Sequence, residues 1–495
     1  MNKKLPIIFI IVLAVIFILR ERRANEFADG FSHKFPHPDA IVFGELNWRL
    51  PNGNDFRQTI GEIPFFYEKD DVVPLFHLQL SFEAGSMLEY PQPKGTSQLY
   101  ALSIRNGGSR KFSPAQVDSL LALNAVSISV ANGQARTDFA VSGLSQNLPV
   151  ALEILEDILQ NPAFDQARVR LNRTNLSQGI SHRFDNPSSL LAAGWRSVNY
   201  PQTQISELLP RDFPQRITQN DLMQYHRYLM NEARMIVAAS GDIEERVVRD
   251  FVERNFGAER EVNSRSIPEI SPEILAQTLI IHRDGLTQSL IATGFPSFMR
   301  PDERFYPLSV FNEILGGGFN SRLVSRIRSD EGLTYSIHSQ LGSNYLFPAT
   351  FNAQMTTQTE HTNRALFLMQ EIIGNTAQEK LADSEVNEKI EQFILSLPSA
   401  FRTSEARTAT FLRDEFDGRS PTHYIDYVKR MRTITAADVS TEARRFFENR
   451  AFFTVIITDT SALNRVPAYD DFSIENLNPI ILTVAEFERN FGRIE

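Results

Sequence analysis

The sequence predicts an α+β fold built twice: two homologous domains, each a largely antiparallel sheet with helices packed on one face. Two observations carry this. The first is an internal duplication. Ile217-Thr218-x-x-Asp221-Leu222 returns as Ile434-Thr435-x-x-Asp438-Val439. Arg234 with its following apolar run returns at Arg450, and Ala151-Leu152-x-x-Leu155-x-Asp157-Ile158-Leu159 returns as Ala365-Leu366-x-x-Met369-x-Glu371-Ile372-Ile373, all three at nearly the same offset. Unrelated amphipathic helices would not keep both order and spacing. The second observation is that the two periodicities come in blocks. Period-two runs (77–82, 125–131, 334–340) read as strands and 3.6-type runs (149–160, 364–373) as helices, an arrangement that favours α+β.

In chain order, residues 1–23 read as a membrane anchor or uncleaved signal. Leu5 to Leu19 are an uninterrupted apolar run between Lys3-Lys4 and Arg20-Glu21-Arg22-Arg23. At ~1.5 Å per residue the run spans roughly 22 Å of a ~30 Å hydrocarbon core, and flanking Lys and Arg stems can snorkel across the difference. Cleavage after Ala24 would put Arg22, and after Ala28 would put Glu26, where a small residue is needed, so an uncleaved anchor is expected. Residues 24–50 are a polar tether, 51–257 the first domain, 258–274 a polar linker with Pro268 and Pro272, and 275–495 the second domain. The soluble part is expected on the periplasmic or other extracytoplasmic side, although charges flanking the run set orientation weakly.

Composition narrows the chemistry. The chain holds 50 Lys plus Arg against 60 Asp plus Glu, a net charge of −10, which disfavours nucleic-acid binding. Without cysteine there is no thiol nucleophile, disulfide or Cys-ligated metal, so nine histidines and the carboxylates must carry any metal chemistry. His33 and His37 are four apart, but Pro36 between them argues against one helix face.

Three stretches hold unusual residues: Phe82-Glu83-Ala84-Gly85-Ser86-x-x-Glu89 followed by a helical pattern from Gly95 to Asn106; 179–187 (GISHRFDNP); and Leu315-Gly316-Gly317-Gly318-Phe319-Asn320-Ser321-Arg322-Leu323 leading to Arg328 and Gly332-Leu333-Thr334-Tyr335. The three glycines suggest a turn needing positive φ or close backbone approach, Asn320 or Ser321 a helix cap, and Gly332 the left-handed residue after a helix end.

With these motifs and the duplication, the sequence from about residue 40 to 490 resembles the pitrilysin or insulinase family of zinc peptidases, including the mitochondrial processing peptidase and bacterial two-subunit enzymes. The resemblance implies a chamber enclosed between the two domains or with a partner. Active members carry His-x-x-Glu-His on the helix after Gly-Ser-x-x-Glu, with a further glutamate ligand at a set distance beyond the second histidine. On this chain the first histidine position is Gln98, the general-base glutamate Ala101, the second histidine Leu102 and the distal glutamate Gly179. An amide, a methyl, an isobutyl group and a hydrogen cannot hold a divalent ion, so no metal is expected in this chain. The family resemblance assigns Arg328 and Tyr335 to substrate and oxyanion contacts made from the second domain, a role suited to a preorganised neutral donor. It also implies substrate binding at Ser127, Ser129 and the Gly316-Gly317-Gly318 turn, where a peptide would add to an edge strand. For that strand an ordinary sheet role fits the alternation equally well.

The expectation is a zinc-less subunit of a heterodimeric metallopeptidase, not an enzyme alone, supplying Arg328 and Tyr335 to a zinc-bearing partner that cleaves peptides or unfolded segments. The alternative is a peptide-binding or scaffold subunit of a membrane complex.

Overall fold

The first half of the chain places its apolar runs so that every second residue of each outer strand faces a core. It forms β1 (Arg57–Ile60), β2 (Ile63–Lys69), β3 (Leu75–Phe82), α1 (Thr96–Ile104), α2 (Pro114–Leu123), β4 (Ser127–Asn132), β5 (Thr137–Leu144), α3 (Leu148–Gln160), α4 (Gln166–Ser181), α5 (Pro187–Asn199), α6 (Gln219–Asn231), β6 (Met235–Gly241) and α7 (Glu245–Phe256). The second half follows with β7 (Thr278–His282), β8 (Gln288–Pro296), α8 (Phe305–Asn312), β9 (Ile337–Leu341), β10 (Thr350–Gln358), α9 (Thr362–Gln378), α10 (Asp383–Ser396), α11 (Ser404–Phe416), α12 (His423–Met431), α13 (Ala436–Phe447), β11 (Phe453–Thr458) and β12 (Ile480–Thr483). This computed structural model describes residues 49–257, 262–271 and 277–491, and from Leu50 onward they belong to one compact unit. The apolar run Leu5–Leu19, His33, His37 and most of the tether lie outside the described residues. No helix among the described residues is long and apolar enough to cross a membrane.

The duplication is visible as two six-stranded sheets with matching orders, β1-β2-β6-β3-β5-β4 and β12-β7-β11-β8-β10-β9. Both are mostly antiparallel, with parallel pairing of β2 to β6, β7 to β11 and β7 to β12. Helix starts repeat the sequence signal: Thr218 and Thr435 each accept from the backbone N–H of the third residue on, while Asp221 and Asp438 accept in return, so both copies carry the same capping box.

Helices pack on one face of each sheet, as the sequence leads one to expect, and the opposite face is covered by a helix from the other half. α5 of the first half lies on β8 and β11, and α11 of the second lies on β2 and β6. The two helices begin at Pro187 and Ser404, the same offset that relates the Ile217 and Ile434 motifs, so the exchange is reciprocal. It explains why β6 and β11 are buried at every position, since strands covered on both faces are apolar throughout. Gly194 makes the crossing tight: a Cβ there would sit 2.8 Å from Val455 Cγ1. Trp195 and Leu191 of α5 belong to the second half's core, while Phe401, Phe411 and Leu412 pack with Phe66, Ile236 and Ala238 of the first sheet.

The expected linker is tied down where it is described. Arg265 donates to Leu88 O at 2.6 Å and stacks 3.7 Å over Tyr228, and Asn263 N donates to Glu232 O at 2.9 Å.

Candidate functional site

β3 delivers Glu83-Ala84-Gly85-Ser86 into a turn, and Glu89 then anchors the start of α1. Its carboxyl accepts from Gly95 N and Ser97 N, each at 2.7 Å, and from the Ser97 hydroxyl, satisfying donors that a helix start leaves open. Burial nonetheless outweighs these bonds and pushes the Glu89 carboxyl up to about 7. Gly85 is required here because a Cβ would lie 2.4 Å from Gln134 O.

α1 presents Gln98, Ala101 and Leu102 to a cleft whose other wall includes Val130 and Asn132 of β4. Gln98 and Leu102, four apart, share a face, and Leu102 is 44 % exposed, an unusual setting for a leucine in a helix that otherwise buries Leu99, Tyr100 and Ile104. Gly179 is exposed near the end of α4, with nothing within 4 Å of where its Cβ would be, and is not among the cleft's lining residues. Three of the four positions that resemble the zinc site thus line one cleft, and Gly179, which has no side chain, lies exposed on α4, the helix that packs against α1. Their donor set is one amide, which does not fit a divalent cation. Among the described residues no group of three or more His, Asp or Glu could hold a metal ion. The histidines serve other contacts: buried His226 bonds Tyr100 and Leu159 O, and burial lowers it to about 4, while His182, exposed, pairs with Asp185 at 2.7 Å.

β4 is an edge strand, paired to β5 alone. Ser127 and Ser129 face outward and Ile128 inward, leaving one flank of backbone donors and acceptors open.

In the second half, α8 passes into a wider π-helical turn over Glu313–Gly317, and a further π-helical stretch spans Val324–Asp330. Gly316, Gly317 and Gly318 avoid positive φ; at the first two the reason for glycine is close approach, with a Cβ at Gly316 falling 2.7 Å from Ser339 N and one at Gly317 2.5 Å from the Glu313 carboxylate, whereas one at Gly318 would meet nothing nearer than 3.7 Å. Ser321 does not cap the helix through its hydroxyl, which is buried without a partner. Gly332 adopts φ +63°, as its place after a helix end predicts. Thr334 and Thr357 then pin the return: Thr334 Oγ1 donates to Thr356 O at 2.6 Å and Thr357 Oγ1 to Leu333 O at 2.8 Å. Tyr335 therefore lies just before β9 rather than inside a strand, and projects outward. Arg328 sits between two exposed rings, 5.0 Å from Phe319 and 4.8 Å from Tyr335, with no carboxylate partner among the described residues. Neither Arg328 nor Tyr335 lines the cleft beside α1. Phe319 was visible in the sequence only as part of the glycine motif; its role as the second ring around Arg328 needed the fold.

A duplicated α+β chain with a cleft at the degenerate helix and an Arg/Tyr pair in the second half defines a peptidase-like fold without the peptidase's metal donors. Family comparison agrees. Residues 65–206 match the insulinase (peptidase family M16) description and residues 216–393 match the peptidase M16 inactive domain. The chain belongs to the M16 peptidase family. It is similar to an uncharacterized zinc protease of Streptomyces coelicolor, 21 % identical over 381 residues that cover 75 % of this chain and 82 % of that one. It is also similar to a non-peptidase homolog of Helicobacter pylori, 22 % identical over 356 residues, covering 70 % and 81 %. Its fold is shared with a crystal structure of a peptidase M16 inactive domain from Pseudomonas fluorescens, with a TM-score of 0.71 at 17 % identity over 84 % of this chain and 100 % of that one.

Proposed function

We propose that the chain is the non-catalytic, zinc-less subunit of a heterodimeric M16 metallopeptidase, supplying Arg328 and Tyr335 to the zinc site of a homologous partner for peptide hydrolysis. The observation that carries this reading is the outward, unpaired Arg328–Tyr335 pair in a chain whose own helix α1 has lost every metal donor. A cation and a phenol held ready without an internal anion suit a role toward groups brought by another molecule. Peptide would lie along the open edge of β4 at Ser127 and Ser129, and the Gly316-Gly317-Gly318 turn would let its backbone approach closely. The zinc-bearing partner would supply the water-activating chemistry. The run Leu5–Leu19 would hold the complex to a membrane with its folded part outside the cytoplasm, which fractionation with protease protection tests.

The chain mixed with a homologue bearing His-x-x-Glu-His should hydrolyse peptides well above either alone. Equal activity of that homologue by itself would defeat the proposal. A second reading, a peptide-binding or scaffold subunit of a membrane complex, draws support from the similarity to a relative named a non-peptidase homolog. Isolation from native membranes in a stable assembly without any zinc-bearing homologue would favour it.

A further inference from the structure

The cleft beside α1, about 580 Å³ in volume, contains one charge that nothing among the described residues answers. Its charged and amide side chains are Glu89, Lys94, Gln98, Arg196, Gln204 and Glu207, with Asn132 and Gln134 on the β4 side. Lys94 and Glu207 form an ion pair and cancel. Glu89 spends its oxygens on the start of α1, and its pKa of about 7 leaves it only partly charged at neutral pH. Arg196, in the last turn of α5, has neither a side-chain hydrogen bond nor an ion pair among the described residues. Its position near a helix C-terminus accounts for the sign of its charge. That position does not account for a guanidinium that lines the cleft yet is bonded to none of the acceptors there. Desolvation by the surrounding walls lowers its pKa, while its side chain stays exposed to the cleft and accessible to an entering anion. Two amides lining the same cleft are also unspent: Gln98 has no partner among the described residues, and Gln204 Oε1 is buried without one.

We propose that this cleft binds a peptide carboxylate, with Arg196 as its ion-pair partner, Gln98 and Gln204 flanking it, and the rest of the peptide along the free edge of β4. A planar guanidinium matches a carboxylate through two parallel N–H···O bonds, which a neutral backbone carbonyl cannot reproduce. Where zinc-binding relatives hold a metal cation, this chain would present an organic cation to the substrate. The inference rests on the peptide-holding role proposed above but not on the partner subunit, because every group in it belongs to this chain. The carboxylate could be a peptide's C-terminus or an acidic side chain.

Fluorescence anisotropy on the full chain alone separates these, using one neutral peptide sequence in three forms: free acid, C-terminal amide, and amide with a single internal Glu. A carboxylate-bearing form should bind ~10-fold tighter than the plain amide at low salt, with the advantage shrinking as salt rises. Tighter binding of the free acid assigns the C-terminus; tighter binding of the Glu-bearing amide assigns the side chain. Arg196→Gln should bring the ratio to about one, and Arg196→Lys, which keeps the charge but loses the fork, should retain a few-fold preference. Equal affinity for all three peptides, or an undiminished ratio in Arg196→Gln, overturns the inference and leaves the peptide-holding role standing. Failure of all three to bind overturns both. Should Arg196→Gln not fold, the Arg196→Lys ratio and the salt dependence of the native chain decide in its place.

Discussion

Arg328 and Tyr335 stack against one another on the outside of the second half, the guanidinium carbon 4.8 Å from the ring centroid and the tyrosine 86 % exposed. Phe319, 71 % exposed, closes the other side of the same guanidinium. Exposed aromatics are costly to solvate, and two such rings held around a guanidinium that forms no ion pair among the described residues make a surface prepared for something outside the chain.

In a reconstituted pair, Arg328→Ala and Tyr335→Phe should each lower kcat/KM for peptide hydrolysis by about 10- to 100-fold while leaving the chain's Tm nearly unchanged, because Tyr335 is exposed and half-buried Arg328 forms no ion pair among the described residues. Phe319→Ala should cost less, roughly 2- to 5-fold, since it removes one of two rings around Arg328. Steady-state kinetics with an excess of this subunit measure all three. Unchanged kinetics for both Arg328→Ala and Tyr335→Phe would remove these residues from the reaction.

The four substitutions Gln98→His, Ala101→Glu, Leu102→His and Gly179→Glu should convert the purified chain from carrying no stoichiometric zinc to carrying about one equivalent, read by elemental analysis after dialysis. Gln98, Leu102 and Gly179 are exposed and Ala101 half-buried, so new side chains there have room. Stoichiometric zinc in the native chain would contradict the zinc-less assignment.

Glu89 should make stability depend on pH in a particular window. Its carboxyl ordinarily titrates near 4.5, and burial raises it to about 7 in the folded chain. Between those values the folded state binds more protons than the unfolded one, so Glu89's contribution is fully present below pH 4.5 and is lost as pH rises through 7. The loss is on the order of 3 kcal/mol. Urea unfolding of native chain and Glu89→Gln from about pH 4.5 to 8 checks this: the difference between the two curves should change across the window, and parallel curves would rule out Glu89 as the cause.

Gly194→Val should destabilise by about 2–3 kcal/mol, because its new atoms would enter the space held by Val455 and Ile281 on the opposite sheet. Gly179→Ala, where nothing lies within 4 Å, should be neutral or stabilising by up to ~1 kcal/mol. The reciprocal exchange of α5 and α11 further implies that neither half folds stably alone, whereas co-expression of the halves as separate chains should restore a soluble complex; sedimentation of the separate and co-expressed halves measures this.

Much of this architecture is written locally. Repeated motifs such as Ile217-Thr218-x-x-Asp221 and Ile434-Thr435-x-x-Asp438 announce two copies because capping boxes and apolar periodicity act over a few residues. The vacancy of the metal site was readable for the same reason: Gln98, Ala101, Leu102 and Gly179 lack a metal-binding donor set whatever the fold does with them. Tertiary structure alone decided the rest. Apolar runs at β6 and β11 imply cover on both faces, but only long-range packing could assign that cover to α11 and α5 from opposite halves. Phe319, Arg328 and Tyr335 stand apart in sequence, and their stacking depends on two π-helical turns and the Thr334 and Thr357 hydrogen bonds that carry no local signature. Arg196 carries no local signature at all, because whether a charge is paired is a property of what folding brings near it.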